Sequence, residues 1–141
     1  MKSFASASRR ARFIDTGPLV AAIDRGDTHH EWARAILPQL KGPARTCEAV
    51  VAEALHLLDN APAAITALHR LLSRMEIVPV LREDFEAVFS VVSKYAPRMD
   101  LADGCLVTLS VRYAEAVVVT TDTRDFSSYG IPFASPAGLF A

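Results

Sequence analysis

The run Ala116-Val117-Val118-Val119-Thr120-Thr121 limits what this chain can fold into more than any other stretch. It is uncharged and rich in β-branched residues, and it shows no alternation of polar and apolar positions. Such a run suits a strand covered on both faces, as in the middle of a parallel sheet. Parallel neighbours need crossover connections, usually helices, so the run predicts a layered α/β chain.

The remaining sequence has the matching alternation of short strand signals and longer helical patterns. Phe13-Ile14 opens a short buried strand ending near Asp15. Gly17-Pro18 then starts a helix through Leu19, Val20 and Ile23 that stops near Gly26. Thr28-His29-His30-Glu31 has the form of a capping box and opens a helix through Trp32, Ile36 and Leu37, ended near Pro38. Arg45 to Cys47 predicts a short strand, followed by a helix from about Glu48 to Leu58. Ile65, Leu68, Leu71, Leu72 and Met75 mark one face of a further helix. Ile77-Val78-Pro79-Val80 reads as a strand, with Pro79 at its end or on an edge. Phe85, Val88, Phe89 and Val92 mark another helix, and Leu106, Leu109 and Tyr113 mark the apolar side of one running from Leu101. A last short strand is expected around Ile131 to Phe133, after the Tyr129-Gly130 turn. The order predicts a largely parallel sheet covered by helices on both faces.

A length of 141 residues fits one compact domain, read as a flexible tail over 1–11 and a single domain over 12–141. The net charge of −1 excludes a globally basic nucleic-acid coat but not a local basic rim. No apolar run approaches the roughly 20 residues of a membrane span, and the start of the chain lacks a signal-peptide core. Cys47 and Cys105 show no paired metal spacing and read as core thiols, which suits a reducing cytoplasm.

Two aspartates stand directly after strand patterns: Asp15 after Phe13-Ile14, and Asp122 after the Val117–Thr121 run. Ligands of parallel sheets bind outside the carboxyl ends of strands, and a carboxylate there must be solvated, paired or bound to a cation. Glu53 interrupts the apolar stretch Ala49-Val50-Val51-Ala52-Glu53-Ala54-Leu55, and spacing alone leaves a buried edge and an exposed helix face equally open. Asp100 and Asp103 flank Leu101-Ala102 at a helix start. Asp100 fits a cap, while Asp103 can favour the first turn and still project towards the sheet end. Asp125 suits a structural or supporting role.

These residues resemble the PIN-domain nucleases, and among them the VapC-type toxins of toxin–antitoxin pairs. The matching segments are Phe13-Ile14-Asp15-Thr16-Gly17, Val50-Val51-Ala52-Glu53-Ala54, Met99-Asp100-Leu101-Ala102-Asp103-Gly104 and Val119-Thr120-Thr121-Asp122-Thr123-Arg124-Asp125-Phe126. Each is short and degenerate, but all occur in family order over nearly the whole chain from Arg12. The resemblance implies a three-layer α/β/α sandwich with a mostly parallel sheet of about five strands. It places the catalytic and metal-binding acids at Asp15, Glu53, Asp103 and Asp122, with Asp100 and Asp125 at commonly acidic accessory positions. Thr120 falls where the family often has a hydroxyl that helps hold the site, and Gly104 replaces a more usual alanine. An RNA substrate, a cognate antitoxin and a homodimer are further implications.

At an effective dielectric near 20, two charges about 4 Å apart repel by roughly 4 kcal/mol, and a divalent cation turns that repulsion into a binding site. Oxygen-only ligands suit Mg²⁺ or Mn²⁺. His29 and His30 project about 100° apart on a helix, and His56 and His69 lie on separate patterns, so no histidine clamp competes. The expected chemistry is metal-assisted hydrolysis of RNA phosphodiester bonds, with Arg82, Arg98 and Arg124 as candidate phosphate contacts. Two other readings stay open. One is an inert PIN-like dimeric interaction module using the Ile65-Leu68-Leu72 or Phe85-Val88-Phe89 faces. The other is a phosphoryl-transfer enzyme with Asp15 as nucleophile, which needs a placed lysine, and apart from Lys2 the chain offers only Lys41 and Lys94.

Overall fold

Strand β4 (Val117–Val119) is wholly buried and lies between β1 (Arg12–Ile14) and β5 (Phe133–Ser135), the interior position its apolar run requires. A computed structural model describes residues 11–40, 44–114 and 116–140. The expected tail falls outside these residues except for Ala11, whose carbonyl accepts from Val117 N at 2.8 Å. The sheet order is β3-β2-β1-β4-β5-β6, with β2 at Ala44–Thr46, β3 at Met75–Ile77 and β6 at Gly138–Phe140. All neighbours are parallel except β5 and β6.

The helices are α1 (Thr16–Ile23), α2 (His30–Ile36), α3 (Glu48–Leu57), α4 (Pro62–Leu72), α5 (Phe85–Lys94), α6 (Leu101–Arg112) and α7 (Thr123–Tyr129). Helix α1 packs on α2, α3 and α4, while α5 packs on α6, and α3 meets α6. With the sheet between helical layers, the architecture is the three-layer α/β/α sandwich that the resemblance implies. Helix α6 is buried from Gly104 through Ser110, all round rather than on one stripe, as befits a helix enclosed by others. Gly104 permits this, because a Cβ there would press into the Val92 side chain of α5.

Several local expectations shift. The sheet, expected to hold about five strands, has six among the described residues. The extra strand, β6, forms a hairpin on β5 in which the Phe133 and Phe140 rings stack at 4.8 Å. The final parallel strand starts at Phe133 rather than Ile131, because α7 ends at left-handed Gly130 (φ 72°) and Ile131-Pro132 forms the link. Strand β3 ends at Ile77: Val78 N still donates to Thr46 O at 2.8 Å, and Pro79 has no N–H to continue the ladder. Thr28 is not a cap. Asp27 Oδ1 takes the His29 N–H at 2.8 Å, and α2 begins at His30. On α5, Val88 is buried, whereas Phe85 and Phe89 face outward with ring centroids 4.7 Å apart.

Candidate active site

Chain order reverses between β1 and β4: successive strands grow from β1 towards β3 on one side, then restart at β4 on the other. Helices leaving two such strands diverge and open a crevice at their carboxyl ends. Ile14 pairs with Val119, so the next residues, Asp15 and Thr120, emerge side by side. Asp15 is buried and caps α1, its Oδ1 accepting from Thr16 N at 2.7 Å. Its Oδ2 accepts the Thr120 hydroxyl at 2.7 Å, and Thr120 Oγ1 in turn accepts from Asp122 N at 3.0 Å. One buried hydroxyl thus ties the Asp15 carboxylate to the loop carrying Asp122. Gly17 lets α1 start this close to that loop, since a Cβ there would overlap the Thr121 side chain.

The other acids arrive from helices. Glu53 sits half-buried on α3, where its carboxyl is affected by the charges of Asp100 and Asp15. Asp100 is the N-cap of α6 and its Oδ1 accepts from Asp103 N at 2.8 Å. Asp122 is the N-cap of α7 and accepts from Asp125 N at 2.9 Å. The capping that the sequence offered for Asp100 therefore coexists with a place beside the other acids. Burial pushes Asp15 up to about 6, aided by the charges of Asp100 and Asp122 and opposed by its hydrogen bonds to Thr120 and Thr16. Burial followed by the charges of Asp100 and Asp15 raises Glu53 to about 7. Asp103 rises to about 8 through burial and the charges of Asp15 and Asp100. Asp122 is also raised, first by burial. These cross-influences place acids from remote segments within electrostatic reach of one another.

Two participants escaped the sequence reading. Tyr129, buried on α7, donates its hydroxyl to Asp103 Oδ2 at 2.9 Å. Its spacing from Asp122 and Phe126 puts all three on one helix face, a signal available in the sequence. Thr16 is buried with its hydroxyl lacking a hydrogen-bond partner of good geometry, and Glu53 is the carboxyl it influences.

The remaining candidates flank this set or lie apart from it. Asp125 is drawn to Arg98, whose Nε lies 3.7 Å from Asp125 Oδ1 and whose Nη1 donates to Ser128 Oγ at 3.0 Å. Arg124 acts on Asp122 through its charge. Arg82 lines an apolar cavity of about 690 Å³ with Phe85, Leu101 and both cysteines, and Asp15, Glu53, Asp103 and Asp122 are absent from its walls. Cys47 and Cys105, unrelated in sequence, are buried free thiols whose mutual influence lowers Cys47 and raises Cys105. His30 is packed, its Nδ1 donating to Ala21 O at 2.6 Å. Lys94 lies over the Tyr95 ring at 5.3 Å, and Lys41 is outside the described residues.

The donor set suits a hard divalent cation: carboxylates whose negative charge is resisted by burial, with the buried Thr16 hydroxyl beside Glu53. Among the described residues no three acids close into a tight coordination sphere.

No helix among the described residues is long and apolar enough to cross a membrane. A search of curated proteins found no match. Among solved structures, the chain is similar to VapC20 of Mycobacterium tuberculosis, described as a sarcin–ricin loop cleaving toxin. The TM-score is 0.73 at 20% identity over 86% of this chain and 96% of that one. The family model for the PIN domain matches residues 12–132. Acids after β1 and β4, joined through Thr120 and faced by acids from α3 and α6, agree with that match: the chain belongs to the PIN domain family.

Proposed function

We propose that this chain is a divalent-metal-dependent endoribonuclease of the VapC kind, using Asp15, Glu53, Asp103 and Asp122 to hold Mg²⁺ or Mn²⁺. The observation that carries this reading is the Asp15–Thr120–Asp122 linkage, faced by Glu53 and Asp103 across the crevice. When bound, a divalent cation would acidify a water and stabilise charge on a phosphodiester. Asp15, gripped at both carboxylate oxygens, supplies a ligand of fixed orientation. Tyr129 occupies Asp103 Oδ2 and so fixes that side chain as well. Glu53 and Asp103 hold protons towards neutral pH because of burial and neighbouring charge, and a cation would release them. Asp100 and Asp125 support this set: one caps the helix carrying Asp103, and the other is held by Arg98.

RNA as substrate, an antitoxin as partner and a homodimer belong to the same proposal. The outward Phe85–Phe89 pair on α5 supplies an apolar surface for self-association. The central test is Asp15→Asn. Mg²⁺-dependent RNA cleavage should fall roughly a hundred- to a thousandfold, with unchanged circular dichroism. Unchanged cleavage would refute the assignment. Calorimetric titration with Mg²⁺ and Mn²⁺ separates an enzyme from an inert module, which would bind neither.

A further inference from the structure

We infer that the groove between α1, α2 and α4 is a subsite for backbone phosphates of the RNA strand that the acid crevice acts on, an inference that rests on the nuclease reading above. The groove encloses about 550 Å³ and is lined by Arg25, Arg34, Arg70 and Arg74, together with His30, Ala22, Ile23, Ala67 and Leu71. These four guanidinium groups come from three separate stretches of sequence, in a chain whose net charge is −1. No carboxylate lines the groove. Among the described residues the ion pairs involve Arg45, Arg98 and Arg112, and none of the four. The acids beside Arg25 are committed to backbone turns: Asp24 Oδ1 accepts from Gly26 N at 2.9 Å, and Asp27 Oδ1 from His29 N at 2.8 Å. Glu76, two residues from Arg74, pairs with Arg45 at 2.9 Å, and Glu31, one turn before Arg34, is not part of the groove lining.

Like charges gathered without counter-charges repel, and a ligand with repeated negative charge relieves that repulsion. Planar guanidinium forks match phosphate oxygens and present donors without demanding a particular base. Helix α1 links the two features. Asp15 caps its first turn, while Ala22 and Ile23 at its last turn belong to the groove. At 1.5 Å per residue the helix separates them by about 12 Å, within reach of a single strand tracked by a basic groove. Phosphates are therefore favoured over an acidic protein segment. The groove would fix the strand while the crevice acts on it.

The test uses fluorescence anisotropy with a labelled oligouridylate across a salt series, in an Asp15→Asn background that prevents cleavage. Arg34→Gln with Arg70→Gln should weaken binding roughly tenfold or more and flatten the dependence of log K on log salt by about one unit or more. Arg34→Lys with Arg70→Lys should restore much of the slope, which a folding defect would not do. Unchanged affinity and slope in the Gln pair would overturn the subsite. So would a Gln pair that loses binding to poly-glutamate while keeping the RNA slope. If the parent chain does not cleave RNA yet the Gln pair loses RNA affinity and slope, the nuclease reading fails and the groove stands.

Discussion

Thr120 donates its hydroxyl hydrogen to Asp15 Oδ2 at 2.7 Å and receives the Asp122 N–H at 3.0 Å on the same oxygen. Two acids separated by most of the chain are thereby set by one fully buried side chain. Thr120→Val keeps the shape but leaves Asp15 Oδ2 and Asp122 N without this partner. The expected loss of stability is about 1–3 kcal/mol, read by urea denaturation. The Thr120 hydrogen bond holds the Asp15 carboxyl below where burial alone would put it. Without that bond the cleavage profile should shift to higher pH, and Thr120→Ser should behave like the parent. A Val variant with the parent's pH profile would remove Thr120 from the site.

Carboxyls in an unfolded chain ionise near pH 4, whereas Asp15, Glu53 and Asp103 are raised to about 6, 7 and 8 in the fold. Between those ranges the folded form binds more protons, so the stability these groups contribute is full below about pH 4 and is lost as pH rises through about 6 to 8. The metal-free melting temperature should therefore fall by several degrees from about pH 5 to about pH 8.5. Asp103→Asn should make that fall shallower. Mg²⁺ or Mn²⁺ binds the ionised form, so its stabilisation should be greater at the alkaline end. Scanning calorimetry with and without metal checks both signs, and equal metal effects at the two pH values would contradict this account.

Gly104 sets helix propensity against packing. In an open helix, alanine would gain about 1 kcal/mol over glycine. Here the added Cβ meets Val92, a side chain stiff at χ1, and overpacking of this kind costs about 1–3 kcal/mol. Gly104→Ala should be neutral to destabilising, whereas in a Val92→Ala background the same change should stabilise. Urea denaturation of the four proteins closes the cycle. A gain in the parent background as large as in the Val92→Ala one would show that α5 and α6 are not held apart there.

The sequence by itself determined what depends on neighbours along the chain. The uncharged Val117–Val119 run reads as an interior strand, and several helices carried their own periodicity, whereas α7 over Thr123–Tyr129 was not read from the sequence. Asp15 and Asp122 were legible as acids at strand ends because apolar runs stopped directly before them. What lay beyond local pattern was decided by tertiary structure. Glu53 was evenly balanced between solvent and interior until α3 packed on α1 and α6. Tyr129 reached Asp103, Thr120 bridged two loops, and four arginines met in one groove, because strand order and crossovers brought distant segments together. Thr28 lost its capping role because the chain turns at Asp27, whose carboxylate takes the His29 N–H, and the helix starts at His30 without a side-chain cap. Periodicity fixes which face of an element is apolar. Which faces meet is fixed by burial of the whole surface at once, and no single window of sequence contains that information.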